Sequence, residues 1–384
     1  MNNFEFCCPT RVVFGKGSIE RLSGLIDKDK KILMVYGGGS IKKNGVYDQV
    51  KKALEGFQLV EFTGIEPNPT YETCIMAVDV VKKEKIDFLL AVGGGSVLDA
   101  TKFIAAASKF KGEEPYDLAS KGLPVKEALP LGSVITLPAT GSEMNGNAVI
   151  SRSSTAEKFA MMSLKTYPQF SIIDPESTYS LPVKQTVNGI VDTFVHVMEL
   201  YATYDVNTPL QDSWALGLIK TLIQESPKVL ANPNDYEARA NIFWCATCGL
   251  NFWLAQGVVQ DWSTHRIGHE ITAFYGLDHG QSLAIILPRL WQNKKTDKAQ
   301  KLAKLAREVF GCAEQDNLLA ADCAIKKTEE FFNSIGMKTK LSDYGIDSIE
   351  AATRVKERFE QRGTVLGERL DVSPQVACDI LKNC

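Results

Sequence analysis

The chain has 384 residues, of which 45% are hydrophobic and 23% charged. That is ordinary globular composition, and the length predicts two domains rather than one core. With 43 basic and 46 acidic side chains the net charge is -3, which argues against a nucleic-acid partner, since phosphate binding runs on surplus Lys and Arg.

The start, MNNFEFCCPT, shows no basic segment followed by an apolar one, so no secretory signal is read there. No apolar stretch approaches the ~18 residues needed to span a bilayer. A cytoplasmic protein without a membrane partner is the expectation. Apolar β-like runs then alternate with amphipathic stretches. Strands are predicted at Arg11–Phe14, Ile32–Tyr36, Leu59–Phe62, Ile86–Val92, Val134–Leu137 and Ser171–Ile173, with helices such as Thr73–Lys85 and Ser96–Lys109 between them. That order reads as a mostly parallel sheet with helices on its faces. From Pro182 onward helical periodicity takes over, at Gln185–Tyr201, Leu210–Val229, Tyr236–Trp253, Thr296–Phe310 and Asn317–Ile335. The expected organisation is an α/β domain at 1–181 and an all-helical domain at 182–384. The nine cysteines are irregularly spaced and odd in number, so no disulfide framework is expected.

Two GGGS runs follow predicted strands: Gly37, Gly38, Gly39 and Ser40 after KILMVY, and Gly93–Ser96 after IDFLLAV. Loops at the carboxyl ends of parallel strands are where open α/β sheets bind ligands. In the second run, glycines let the backbone approach a phosphate, and the following helix start favours an anion. A tight turn with a capping box, Ser96 to Asp99, explains one such run equally well; two at equivalent strand ends favour a nucleotide. Neither run is G-x-G-x-x-G, so this is not an ordinary Rossmann unit. After Tyr36 there is no acidic residue to hold a ribose 2'-hydroxyl. Small residues and Ser40 precede Lys42 and Lys43, which suits a 2'-phosphate and favours NADP(H) over NAD(H) unless the lysines are simply solvated. Thr136–Glu143, TLPATGSE, is either a third ligand loop or an ordinary surface loop.

All four histidines fall in the second half. Asp192 and His196 are i, i+4 in GIVDTFVHVMELY, on one helix face and amid apolar neighbours. A carboxylate there is costly to bury unless paired or metal-bound. His265 and His269 are again i, i+4, and His279 follows ten residues later. A single buried histidine is usually a satisfied core residue, and an Asp–His pair at this spacing can be a plain hydrogen bond. Four histidines gathered beside one buried-looking Asp point instead to a divalent transition metal. Cys245 and Cys248 form a C-x-x-C without a second pair, and read as buried structural thiols. The aromatics Trp244, Phe252, Trp253 and Trp262 read as core, with pocket wall near His265 as the alternative.

FGKG at Phe14–Gly17, GIEPNP at Gly64–Pro69, AVGGGSVLDATK at Ala91–Lys102 and LPATGSE at Leu137–Glu143 resemble the iron-dependent (group III) alcohol dehydrogenases. So do GIVDTFVH at Gly189–His196, STHRIGH at Ser263–His269 and GLDHGQSLAIILP at Gly276–Pro288. The resemblance covers essentially the whole chain, and its branch is that of NADPH-dependent aldehyde reductases and butanol dehydrogenases. It implies a dehydroquinate synthase-like α/β N-terminal domain with a mostly parallel sheet, plus an all-α C-terminal domain. It implies Asp192, His196, His265 and His279 as ligands of one divalent ion, Fe2+ or Zn2+, and His269 as a proton-relay member. The pyrophosphate loop maps to Gly94, Gly95, Ser96 and Asp99. Thr136, Thr140, Ser142 and Lys158 map to further cofactor contacts, with Asn68 as a neighbour. The implied enzyme interconverts small aldehydes and primary alcohols with NADP(H) and is a homodimer. The competing readings are an NAD(H)-preferring alcohol or polyol dehydrogenase, a dehydroquinate-synthase-like lyase, and a non-catalytic nucleotide and metal sensor.

Overall fold

The computed structural model describes all 384 residues, Met1–Cys384. The chain divides into two compact units, and neither is one uninterrupted stretch such as 1–181 or 182–384. The α/β unit comprises Cys7–Pro182 and Pro233–Thr247; the helical unit comprises Met1–Phe6, Val183–Asn232 and Cys248–Cys384. The exchanged segments have physical anchors. Phe243 is buried in the α/β core and Trp244 meets Phe14 edge-on. At the other end, the Asn2 backbone N–H donates to Gly257 O at 2.9 Å within the helical unit. Periodicity shows that a segment is helical but not which core it joins.

In chain order the α/β unit holds β1 (Arg11–Phe14), β2 (Lys31–Gly37), α1 (Ser40–Lys43), α2 (Val46–Ala53), β3 (Gln58–Ile65), α3 (Tyr71–Glu84), β4 (Phe88–Gly93), α4 (Gly95–Ala107), α5 (Asp117–Ser120), β5 (Leu131–Ile135), β6 (Asn147–Arg152), β7 (Glu157–Met162) and β8 (Phe170–Ile173). Six strands form one sheet in the order β1-β8-β5-β4-β2-β3, and every pairing in it is parallel. β6 and β7 form a separate antiparallel hairpin that the sequence reading lacked. Their runs, NAVISR and EKFAMM, are short and mixed in polarity, so no clean alternation announces them.

The sheet's sequence follows from its burial. β4, FLLAVG, is buried throughout, as a parallel strand covered on both faces must be. Alternate side chains of β2 serve opposite faces. Leu33 and Val35 join Val78 of α3 and Phe103 of α4, whereas Ile32, Met34 and Tyr36 join Val50 of α2 and Leu22. The connection after β2 therefore crosses one face and the connection after β3 crosses the other. β2 and β4 lie side by side at the point where the chain reverses direction across the sheet. In open sheets that crevice is where ligands bind.

The remaining elements are α6 (Val183–Tyr201), α7 (Pro209–Ala231), α8 (Tyr236–Gly249), α9 (Ser263–Tyr275), α10 (His279–Asn293), α11 (Lys295–Glu308), α12 (Asn317–Ser334), α13 (Ser348–Arg362) and α14 (Pro374–Lys382). Pro209 and Pro374 open α7 and α14, at positions whose N–H has no helical partner. Asp347 caps α13 by accepting the Glu350 N–H at 2.8 Å. Glu270 of α9 bonds both Arg358 (2.9 Å) and Arg362 (2.7 Å) of α13. One disulfide, Cys312–Cys323, joins the segment after α11 to α12; the irregular cysteine spacing gave no sign of it.

Candidate functional site

α6 supplies the first two groups. Ile190, Val191, Phe194, Val195 and Met198 are all buried around it, and this apolar packing fixes the helix. Asp192 and His196 are buried with it, each 4% exposed. α9 brings His265 in its first turn and His269 one turn later. His279 is the first residue of α10, and its position is set by contacts around Asp278. The Asp278 backbone N–H donates to Gln281 Oε1 at 2.9 Å, and its carboxylate accepts from Asn188 Nδ2 at 2.7 Å and pairs with Lys184 Nζ at 2.9 Å. Both partners lie on α6. A Cβ at Gly280 would stand 2.8 Å from Asn188 O, so only glycine lets the start of α10 approach α6 this closely.

The four groups converge. The Nε2 atoms of His196 and His265 each lie 3.6 Å from Asp192 Oδ1, and that of His279 lies 3.5 Å away. Ligand atoms of Asp192, His265 and His279 all lie within 4.8 Å of one another. The rings of His196 and His265 are stacked at 4.6 Å. His269 is partly buried, its ring centroid 5.4 Å from that of His279 and 6.2 Å from that of His265. Trp262 alone of the sequence-singled aromatics borders the cluster, 5.4 Å from the His265 ring.

Burial opposes charge on Asp192, but His196, His279 and His265 outweigh it and hold the carboxyl well below its usual range. Burial pulls His265 down, yet Glu199 and Asp192 outweigh it and raise it to about 9. Asp192 is thus a carboxylate waiting on positive charge. Asp192 Oδ1 and His265 Nε2 are buried without a hydrogen-bond partner, a cost of about 1–3 kcal/mol each unless a ligand meets them. A divalent metal fits that demand. One carboxylate and three imidazoles are borderline ligands of the kind Fe2+ and Zn2+ take. Bonds of roughly 2.0–2.2 Å place tetrahedral ligand atoms about 3.4 Å apart, close to the separations around Asp192 Oδ1.

Glu199 was missed in the sequence. It is 4% exposed and contacts His265 through both carboxylate oxygens. Its signal was legible, for Asp192, His196 and Glu199 stand at i, i+4 and i+7 on one helix face. Cys245 and Cys248 lie buried in α8 and belong to no such cluster of ligands.

The glycine loops occupy the carboxyl ends of adjacent strands in the α/β unit. Gly37 ends β2, with Gly38, Gly39 and Ser40 leading into α1; Gly93 ends β4, with Gly94 and Gly95 opening α4; Thr136 follows β5. Because β5, β4 and β2 are neighbours and parallel, the three loops share one edge of the sheet. A Cβ at Gly95 would lie 2.6 Å from Thr140 side-chain atoms, so the glycine lets the Thr140 loop close over the start of α4. Asn68 and Lys158 are joined directly, Nζ to Oδ1 at 2.8 Å.

One expectation is corrected. The N-cap of α4 is Gly94, so Ser96 is already inside the helix and forms no capping box with Asp99. Asp99 instead accepts Ser142 Oγ at 2.8 Å and the Val149 N–H at 3.0 Å. Ser142 Oγ and O both receive the ammonium of fully buried Lys102 at 2.7 Å. Asp99, Ser142 and Lys102 are therefore joined in one hydrogen-bonded network. Near Ser40, Lys42 Nζ lies 4.9 Å from the Tyr47 ring centroid and 5.4 Å from that of Tyr36, yet Lys42 stays exposed. Glu61, the nearby acid, is engaged by Tyr36 (2.9 Å), Tyr47 (2.9 Å) and Lys51 (3.0 Å).

Comparison with known proteins bears on both halves. Residues 9–175 match the family described as iron-containing alcohol dehydrogenase, and residues 186–371 match the C-terminal Fe-containing alcohol dehydrogenase family. The chain is 48% identical over 379 residues to the NADPH-dependent aldehyde reductase YqhD of Escherichia coli (strain K12), covering 98% of each. The crystal structure of E. coli K-12 YqhD superposes with a TM-score of 0.97 at 47% identity, covering 100% of this chain and 98% of that one. The NADP-dependent alcohol dehydrogenase 3 of Entamoeba histolytica is 42% identical over 390 residues, covering 100% of this chain and 99% of its own. NADH-dependent butanol dehydrogenase A from Thermotoga maritima superposes with a TM-score of 0.94 at 37% identity, covering 100% of this chain and 98% of its own.

Proposed function

The chain belongs to the iron-containing alcohol dehydrogenase family, and from that premise we propose that it is an NADP(H)-dependent aldehyde reductase and alcohol dehydrogenase acting on small substrates of the butanal and butanol type. The observation that carries this reading is the convergence of three imidazole Nε2 atoms on one buried Asp192 oxygen. Asp192, His196, His265 and His279 would hold a single divalent ion, Fe2+ or Zn2+. When bound, the ion supplies Lewis acidity to a substrate oxygen and the reduced dinucleotide supplies the hydride.

The chain's own residues do the rest. Gly37, Gly38, Gly39 and Ser40, with Gly94, Gly95, Ser96, Thr136 and Thr140, offer small side chains, hydroxyls and backbone at the sheet edge to the dinucleotide. Asn68 and Lys158 flank it as a bonded pair, and the Lys102 network behind Asp99 and Ser142 keeps those loops in place. Exposed Lys42, and the absence of an acid on Gly37–Ser40, favour a 2'-phosphate over a bare ribose. His269 holds the proton, at a ring nitrogen, that the product alcohol gains. The apolar packing of α6 and the Trp262 ring keep water from the His196 and His265 imidazoles.

The enzyme acts in the cytoplasm as a homodimer. β1 is an edge strand with β8 as its sole partner, and a second copy adding its own strand there would cover the open edge. No helix is long and apolar enough to cross a membrane.

The test is NADPH absorbance loss with butanal, before and after chelation and after restoring Fe2+ or Zn2+, with NADH in parallel. Turnover that stops on chelation, returns with metal and is faster with NADPH is the expected result. Turnover indifferent to chelation, or NADPH binding without turnover, overturns the reading.

A further inference from the structure

Glu199 is a buried carboxylate that the reaction above does not use. It sits near the end of α6, three residues beyond His196, and both of its oxygens are spent on one residue of α9. Oε1 accepts the His265 backbone N–H at 3.2 Å, and Oε2 is hydrogen-bonded to His265 Nδ1. The Asp261 N–H donates to the Glu199 carbonyl at 2.9 Å, which stitches the start of α9 to the same turn of α6. A carboxylate accepts hydrogen bonds and does not donate them, so the proton of this contact belongs to Nδ1. In a neutral ring the other nitrogen, Nε2, then carries the lone pair. Nε2 faces Asp192 Oδ1 at 3.6 Å and has no hydrogen-bond partner.

We propose that Glu199 is a positioning residue that holds His265 in the Nδ1–H tautomer and fixes its ring plane, so that Nε2 is presented to the metal. The inference rests on the metal reading above. Carboxylate partners of this kind fix the tautomer of a ligating imidazole and increase its basicity. The backbone contact by itself would make Glu199 a residue that satisfies an open N–H in the first turn of α9. The contact to the ring is what such a capping role does not require, and it is the contact that reaches the cluster.

The experiment titrates Zn2+ and Co2+ into metal-free wild type, Glu199→Gln and Glu199→Asp against a chromophoric chelator. It also records the visible spectrum of the Co2+ forms and the thermal unfolding of the metal-free proteins. Wild type is expected to take up one equivalent. Glu199→Gln should bind about 10- to 100-fold more weakly, with altered Co2+ bands, and Glu199→Asp should lie between the two because it keeps the carboxylate but retracts it. Unchanged affinity and an unchanged Co2+ spectrum in Glu199→Gln overturn the proposal, and so does a fall in metal-free stability with affinity intact, which would leave only the capping role. Should Glu199→Gln fail to fold, Glu199→Asp decides: weakened affinity supports the proposal and wild-type affinity overturns it. A wild type that takes up no ion overturns the metal reading and this inference together, whereas a binding wild type with unaffected variants overturns this one alone.

Discussion

Lys102 in the α/β unit and Asp192 in the helical unit are both buried charged groups, and the fold treats them in opposite ways. The Lys102 ammonium meets Ser142 O and Oγ at 2.7 Å, Asn147 O at 2.9 Å and Asn145 Oδ1 at 3.1 Å. Every donor it has is answered by its own unit. Asp192 Oδ1 has three imidazole nitrogens at 3.5–3.6 Å and no hydrogen bond. A buried polar group that its fold satisfies is structural, and one that its fold surrounds and leaves open is aimed at something else. The α/β unit satisfies the Lys102 amine within its own loops and carries glycine backbone and hydroxyls at its strand ends. The helical unit offers the charged and titratable groups themselves.

Breaking the two groups should give opposite results. Asp192→Asn should lower turnover about a thousandfold, the several kcal/mol that Lewis-acid stabilisation supplies, and should abolish stoichiometric metal uptake. The metal-free protein should lose only the attraction between this carboxylate and the neighbouring imidazoles, less stability than the Lys102 variant loses, because no hydrogen bond to Oδ1 is broken. Lys102→Met should do the reverse. Urea unfolding should show a loss of about 1–3 kcal/mol, since four buried acceptors lose their donor, while the metal affinity of the protein that remains folded is unchanged. Equal stability losses in the two variants would erase the distinction.

Gly95→Ala probes the front of the α/β unit. Its methyl would press on Thr140 at 2.6 Å, so a stability cost of about 1–3 kcal/mol should accompany weaker NADPH binding by fluorescence titration, with metal uptake intact. The smallest effect is a pH slope in the helical unit. Lys298 bonds both Asp261 (2.9 Å) and Glu368. Burial, with the Asp261 charge beside it, raises the Glu368 carboxyl to about 7. The folded state therefore holds a proton that the unfolded chain has released, from about pH 4.5 upward. That contribution is complete below about pH 4.5 and is lost as pH rises through about 7. Glu368→Gln should flatten this slope in denaturant unfolding measured across pH 5 to 8; a slope equal to wild type removes Glu368 as its source.

Much of this was legible before any coordinates. Arg11–Phe14 is a strand at those very residues, and β2, β3, β4 and β8 lie within a few residues of the apolar runs that announced them. Both GGGS runs do end strands. The i, i+4 pairs Asp192–His196 and His265–His269 do lie on single helix faces. What failed did so for two reasons. Asp99 looked like a capping partner of Ser96 because it stands three residues away, but its partners are Ser142 and Val149, 43 and 50 residues on. The hairpin of β6 and β7 escaped because its polarity is mixed.

The amino-acid order by itself determined which residues carry chemistry and which local element carries each, because apolar period and strand-end glycines are local properties of the backbone. Packing alone decided which of those residues meet. Glu199 and His265 are 66 residues apart in the chain, and no spacing rule joins them; α6 and α9 do so by burying their apolar faces together. The same packing sent Pro233–Thr247 to the α/β unit, because a helix's period fixes the face it buries but not the core that receives it.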